Sequence, residues 1–569
     1  MVADKNRKKI SIGVEDFKEI IDRNGYFVDK TPMLAELMES NTKVTLFTRP
    51  RRFGKTLNQS MIQRFFEKEI TEGGGITDNR YLFDGLAVSS CGGDIMEHCQ
   101  QYPVIMISLK SAKQPDYQMA YSCLIDDIAR EFRRHSYVLG TDSISEAQKE
   151  EFRQLCDKAA APDGYAKSFL FLSECLAKYH GRNVFILIDE YDVPLENAYF
   201  AGFYDEMIAF IRSFFESALK TNRYLEKGVV TGCLRISRES IFTGLNNMEA
   251  DSVLNTKYGS RFGFTEAEVE TMLSYYDLDS CLEEVKRWYD GYLFGDVEIY
   301  NPWSILKYVT DHVNSVTRFP MPYWSNTSSN SIVRELVDDA DDETRSELEI
   351  LMNRGIIEKP VHEDITYGDI HTSMDNLWNF LFFTGYLKAG RQRLEGEKLY
   401  LEMMIPNMEV KSVYDRSIST WFDRKMERTD RSPLMEALER GDCEAAEDFI
   451  NEQLMDTISY YDYAESYYHG FLAGLLTRAG RYRVKSNRES GTGRPDIVIS
   501  TAAIRKGRVM IIEFKVADSV RQLEAKAEEA LEQIRQQQYA KPFTDEGYPV
   551  VQKYGISFYK KECVVKTEE

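Results

Sequence analysis

The chain has 569 residues, 43% of them hydrophobic and 29% charged, which excludes a disordered chain and leaves room for three or four units of about 150 residues. With 71 Lys and Arg against 92 Asp and Glu the net charge is −21, and such charge evenly spread would repel a phosphate backbone. No apolar run approaches the roughly 18–20 residues of a membrane span, and the polar start Met1–Lys9 does not read as a leader. The nine cysteines form no C-x-x-C pair, so they give no zinc signature, and a reducing cytoplasm is expected.

In chain order, the first 310 residues alternate short apolar runs with helical stretches. Lys43–Thr48, Pro103–Leu109, Val184–Ile188 and Gly228–Cys233 are continuous apolar runs without in/out alternation, as strands covered on both faces should be. Helices are expected between them, for example over Tyr117–Arg134 and Ala166–Tyr179. The order β-α-β-α predicts an α/β domain with a parallel sheet. From Thr265 to Met455 the chain reads as mostly helical, with a β-ribbon over Gly385–Ile405 and an acidic, solvated segment at Asp338–Glu349. The last hundred residues predict a helix near Glu465–Arg478, strands Asp496–Ser500 and Val509–Phe514, and a helix from about Val520 to Gln538. The division expected is therefore 1–264, a P-loop domain; 265–455, a helical lid and connector; and 456–569, a smaller α/β domain.

The first chemical constellation is Arg49-Pro50-Arg51-Arg52-Phe53-Gly54-Lys55-Thr56, between strand Lys43–Thr48 and a helix over Leu57–Lys68. Strand, loop and helix in this order form a phosphate-binding loop, in which N–H groups at a helix N-terminus hold phosphate oxygens. Arg52, Phe53 and Gly54 supply loop amides, Lys55 reaches the outer phosphates and Thr56 ligates Mg²⁺. The pattern G-x-x-x-x-G-K-[ST] is broken at its first position by Arg49. Strand Val184–Ile188 then ends in Asp189-Glu190, placing Asp189 on the Mg²⁺ shell and Glu190 on the attacking water. Asp192 reads either as a further acid of the site or as solvated surface. Arg235, Arg238 and Arg261 are candidates to sense the γ-phosphate, Arg235 from the end of strand Gly228–Cys233.

Thr48–Thr56 resembles the P-loop of the AAA-ATPase-like proteins of bacteria. Tyr26–Thr31, Ile188–Leu195, Thr231–Ser237, Trp288–Tyr292 and Tyr300–Ser304 match the same family and extend the resemblance over residues 8–305. It implies an ATP- and Mg²⁺-binding ATPase, with a homo-oligomer allowed because AAA relatives often form rings. The stretch Ile405-Pro406-Asn407-Met408-Glu409-Val410 also matches, without a chemical role.

The second constellation is Asp496, sixteen intervening residues, then Glu513-Phe514-Lys515. An antiparallel hairpin through Arg505-Lys506-Gly507 sets Asp496 beside Glu513, and Glu513 and Lys515 share a strand face. Two carboxylates hold Mg²⁺, and Lys515 positions or deprotonates the nucleophile; the chemistry is phosphodiester hydrolysis. Glu465, opening the preceding helix, adds a third acid, and Gln533 flanks the buried stripe of the following helix and faces the site. These residues resemble the PD-(D/E)XK nuclease superfamily over about Asp462–Tyr559. That resemblance implies catalytic roles for Glu465, Asp496, Glu513 and Lys515, with Gln533 in support. Many relatives place Gln and Tyr four apart, whereas Tyr539 follows Gln533 by six.

No histidine pair has zinc-peptidase spacing and no Gly-x-Ser-x-Gly elbow occurs. Asn376–Val413 reads as a structural connector, with a winged-helix-like reader as the lesser alternative. The sequence thus predicts an α/β protein joining a P-loop NTPase-like domain, a helical connector and a restriction-endonuclease-like domain. The expected function is an ATP-binding, Mg²⁺-dependent nuclease acting on nucleic acid, DNA first, with the ATPase module gating cleavage. The alternative is a nucleotide-dependent switch or scaffold whose C-terminal domain binds nucleic acid or protein without cleaving. Residues 461–569 hold 18 Lys and Arg against 15 Asp and Glu, so the acidity belongs to the first 460 residues and the net charge does not exclude nucleic acid.

Overall fold

The computed structural model describes residues 7–71, 74–92, 94–220, 222–235, 247–317, 319–324, 331–338, 340–362, 373–428, 430–455, 465–476, 482–486 and 495–568, a few helical positions, Glu465 among them, by backbone alone. The chain divides into two units, Met1–Ser329 with Ile356–Ser412, and Asn330–Gly355 with Val413–Glu569. Among the described residues no helix is long and apolar enough to cross a membrane.

The first unit is built on five parallel strands, β1 (Val44–Thr48), β2 (Val104–Ser108), β3 (Val184–Asp189), β4 (Leu225–Gly232) and β5 (Met248–Asp251). Their order is β2-β3-β4-β1-β5. Every residue of β1 and β3 is buried, the reason their sequences run apolar without alternation. Strand β5 escaped the apolar-run criterion: it is the sheet edge, paired only with β1, and reads Met-Glu-Ala-Asp. Helices Tyr117–Arg134 and Ser168–His180 fall close to their expected spans.

Two small antiparallel sheets complete this unit. One contains β6 (Phe264–Thr265), β7 (Tyr292–Phe294) and β8 (Val297–Tyr300) in the order β6-β8-β7. The other contains β9 (Ile357–Val361), β10 (Lys388–Glu395) and β11 (Lys398–Met404) in the order β10-β11-β9. The expected ribbon is β10–β11, and β9 adds a third strand to it. Helices Glu266–Tyr275, Leu282–Tyr289 and Pro302–Val313 share an apolar core in which Val269, Leu273, Tyr289, Ile305 and Tyr308 are buried.

The second unit is a mixed sheet of β12 (Tyr482–Ser486), β13 (Ile497–Thr501), β14 (Arg508–Val516), β15 (Val550–Tyr559) and β16 (Glu562–Glu568), in that order. Only β14 and β15 pair in parallel, across the helix Leu523–Gln536. Helices Ser432–Arg440, Cys443–Met455 and Glu465–Leu476 cover one face, packing Leu472, Leu475 and Leu476 on Ile512, Phe514 and Phe558. Leu531 and Ile534 of helix Leu523–Gln536 cover the other, on Val498, Val509 and Ile511. That helix comes close because β15 carries Gly555, where a Cβ would lie 2.2 Å from the Ala527 carbonyl oxygen. Strands β12, β15 and β16 were not anticipated, whereas helices Ser432–Arg440 and Cys443–Met455 fall in the stretch expected to be mostly helical. Gln552 and Lys553 interrupt the apolar pattern in the half-exposed part of β15.

Candidate functional site

In the parallel sheet, pairing of Thr48 with Gly232 and of Ile188 with Val230 brings the carboxyl ends of β1, β3 and β4 to one edge. Crevices at such edges are where open α/β sheets take ligands. The chain leaves β1 through Arg49–Gly54 and enters the helix Lys55–Phe66. Gly54 stands at the N-cap with φ +85°, a left-handed conformation open to glycine without strain. Arg52 at φ +72° and Glu190 at φ +53° take the same region without that freedom, and such strain persists where surrounding structure holds it. A cavity of about 360 Å³ opens over this loop, within the usual range of ligand sites.

Lys55 Nζ donates to the carbonyls of Arg49 (2.8 Å) and Pro50 (2.9 Å) and lies 3.6 Å from Cys233 Sγ. Thr56 Oγ1 donates to Asp189 Oδ2 at 2.6 Å, and Thr231 Oγ1 donates to the other oxygen of that carboxylate. Asp189 is thus buried and doubly hydrogen-bonded, directly behind Thr56. Glu190 lines the cavity; burial, then the adjacent Asp189, raises its carboxyl above the ordinary range. Asp192 is not solvated and is among the residues lining the cavity. It is buried and accepts from the N–H groups of Cys233 (2.7 Å) and Leu234 (3.1 Å), bracing the turn after β4, and burial raises its pKa.

Arg52, Phe53, Gly54, Lys55, Thr56 and Glu190 all line the cavity, with Asp189 one hydrogen bond behind. Arg235 is half-buried just past β4 and is not among the lining residues, and Arg238 lies outside the described residues. Arg261 does line the cavity, with its guanidinium held by Glu36 at 2.5 Å. The departure from the glycine pattern has a structural cause. Arg49 is fully buried and ion-paired with Asp251 at the end of β5. It also donates to the carbonyls of Thr48 (2.9 Å) and Asp251 (2.8 Å), and its guanidinium lies 5.0 Å and 5.2 Å from the rings of Phe262 and Phe294.

The sequence did not single out Lys110, Lys30 and Trp303, all of which line the cavity. Lys30 is buried, bound to Glu268 at 2.6 Å, and burial lowers its pKa. Trp303 stacks under the Arg52 guanidinium at 4.5 Å. A signal existed for two of them, since both fall inside the family-like stretches Tyr26–Thr31 and Tyr300–Ser304.

In the second unit, antiparallel pairing of Ile497 with Ile512 sets Asp496 across from Glu513. Asp496 N–H donates to Glu513 Oε2 at 3.2 Å, and Phe514 N–H donates to Asp496 Oδ2 at 3.0 Å. Glu513 is only 2% exposed, so its carboxylate must be held by donors. Gln533 Nε2, one turn from the end of helix Leu523–Gln536, donates to Glu513 Oε1. Lys515 Nζ lies 3.8 Å from the same oxygen. Glu513 and Lys515 alternate with Phe514, which points to the opposite core, so the two polar groups face the Gln533 helix.

Glu465 opens its helix, but its side chain lies outside the described residues, as do Gly493 and Arg494. Tyr539 is buried with Ile511, Ile534 and Phe543, and His469 packs with its ring 6.1 Å from that of Phe514. Among the described residues no cluster of three or more His, Cys, Asp or Glu forms a metal cage. Two carboxylates with no nitrogen or sulfur ligand fit a hard cation such as Mg²⁺, which keeps several waters. Thr56 and Asp189 likewise make an all-oxygen pair.

Residues 11–242 match the family model described as predicted AAA-ATPase, and residues 463–568 match the PD-(D/E)XK nuclease superfamily. The chain is also similar to a protein of Azotobacter chroococcum mcd 1 described as an uncharacterized protein in the vnfD 5' region. The two are 24% identical over 558 residues, covering 96% of this chain and 95% of that one.

Proposed function

We propose, on the premise that an AAA-ATPase-like domain and a PD-(D/E)XK nuclease-superfamily domain share this chain, that it is an ATP-responsive, Mg²⁺-dependent nuclease. The observation that carries this reading is the Asp496–Glu513 carboxylate pair, with Lys515 and Gln533 on the same Glu513 oxygen. Asp496 and Glu513 would hold the cation, Gln533 would keep Glu513 oriented, and Lys515 would position the attacking water or take its proton. In the first unit Lys55 and the Arg52–Gly54 amides would bind the phosphates and Thr56 and Asp189 the cation. Glu190, its pKa raised by burial, is suited to accept a proton from water. Mg²⁺ at either place would neutralise phosphate charge and lower the barrier to nucleophilic attack.

Nucleic acid would meet the C-terminal unit, because residues 461–569 are net positive, 18 Lys and Arg against 15 Asp and Glu, while the rest of the chain is acidic. DNA is the first substrate to try. ATP binding in the first unit would license cleavage in the second. The nine free cysteines suit the reducing cytoplasm. The test incubates pure protein with single- and double-stranded DNA, with and without ATP and Mg²⁺. Cleavage is expected from wild type, none from Asp496→Ala, and ATP-independent or absent cleavage from Lys55→Ala. An Asp496→Ala protein cutting at the wild-type rate would sink the nuclease reading. DNA binding without cutting by wild type would favour the switch or scaffold.

A further inference from the structure

A phosphate loop that turns its N–H groups toward the ligand must turn its carbonyls away, and those carbonyls need donors from behind. Lys55 Nζ serves Arg49 and Pro50, and Gly263 N–H serves Phe53 at 3.1 Å. The Arg51 carbonyl is served by the indole Nε1–H of Trp324 at 3.4 Å, across 273 residues of sequence. Trp324 is itself buried, its ring 4.9 Å from that of Tyr386. The preceding Gly385 backs on Pro50 so closely that a Cβ there would lie 3.0 Å from the Pro50 Cβ.

The segments left without a chemical role converge behind this contact. Asn407 Nδ2 donates to the Asp290 carbonyl at 2.8 Å, and at Gly291 a Cβ would lie 2.3 Å from the Pro406 carbonyl oxygen. Asn301 caps the helix Pro302–Val313 through Ser304 N–H. Ser304 Oγ donates to Glu409 Oε2 at 2.7 Å, and Trp324 N–H donates to Glu409 Oε1 at 2.7 Å. Glu409 is fully buried, and among the described residues no cationic side chain pairs with it. A carboxyl in that setting costs stability, so a purely apolar residue would serve packing better.

We propose that Glu409 is a positioning residue for the phosphate loop: by holding the Trp324 backbone it keeps the indole on the Arg51 carbonyl and the loop amides turned toward phosphate. The proposal rests on the nucleotide reading above. At 3.4 Å the indole bond is long, so its own share is small, and displacing the whole ring matters more.

The test titrates full-length protein with Mg·ATP and with inorganic tripolyphosphate, which has no base or ribose, by calorimetry. Glu409→Ala should weaken both about tenfold, about 1.4 kcal/mol. Glu409→Gln, which still accepts from Trp324 N–H, should stay within about 1.5-fold of wild type. Trp324→Phe, which keeps a ring and removes the N–H, should weaken both about threefold. Folded Glu409→Ala with wild-type affinities overturns the proposal, as does a loss confined to ATP, which would place the effect at the base. If Glu409→Ala does not fold, Trp324→Phe with unchanged tripolyphosphate affinity overturns it. Wild type that binds neither ligand overturns the nucleotide reading together with the proposal.

Discussion

Replacing Arg49 by glycine would complete the G-x-x-x-x-G-K-[ST] pattern, and pattern matching predicts a better ATP site. The structure predicts the opposite. Both side chains of the Arg49–Asp251 pair are buried, at 0% and 5% exposure. Arg49→Gly leaves the Asp251 carboxyl buried without its cation, which costs about 3–5 kcal/mol. It also removes guanidinium contacts with two aromatic rings, worth about 0.5–2 kcal/mol. Because these overlap, the expected loss is about 4–6 kcal/mol, enough to consume most of a domain's stability. The double variant Arg49→Met/Asp251→Val removes both charges and nearly keeps the pair's volume, so it should sit within about 2 kcal/mol of wild type. Urea unfolding followed by tryptophan fluorescence measures the first set of changes, and ATP titration of the folded protein the second. An Arg49→Gly protein within about 1 kcal/mol of wild type, or one that binds ATP more tightly, would refute the assignment of Arg49 as a tie between β1 and β5.

Three other outcomes are open to measurement. Burial raises the Glu409 carboxyl from 4.5 to about 7, so the folded unit holds a proton that the unfolded chain releases. The stability this contributes is complete below pH 4.5 and is lost as pH rises to about 7, about 3 kcal/mol in all. Wild type should therefore lose that margin relative to Glu409→Gln between pH 4.5 and 7.5 in paired urea melts; a difference that stays flat across this range contradicts the burial argument. Gln533→Ala should lower cleavage about 10–100-fold and raise the Mg²⁺ concentration needed for half-maximal cleavage, because Gln533 donates to the Glu513 carboxylate. Tyr539→Phe, altering a ring among Ile511, Ile534 and Phe543, should change cleavage less than twofold, and equal losses in the two variants would argue for general loosening of the unit.

Much of the architecture was legible because buried strands and short turns write themselves locally. Strands covered on both faces must be apolar throughout, so β1 to β4 could be read as runs. The β13–β14 pair could be read because a short connection between two apolar runs leaves one register that buries both. That register sets Asp496 opposite Glu513, and the two-residue period puts Glu513 and Lys515 on one face. Strand β5 was not legible, since an edge strand paired on one side needs no apolar run. Strands β15 and β16 were missed because mixed burial dilutes the pattern.

What tertiary structure alone decided are the contacts between residues far apart in sequence. Arg49 reads only as a departure from the glycine pattern, without a structural role, until Asp251, 202 residues on, is seen to hold it in a pocket of aromatic rings. Glu409 reads as one acid among 92 until Ser304 and Trp324 close around it. Residue type and spacing determine local conformation and which side chains share a face. Whether a charge ends in water or in a buried pair depends on elements hundreds of residues away, and no local pattern encodes that choice.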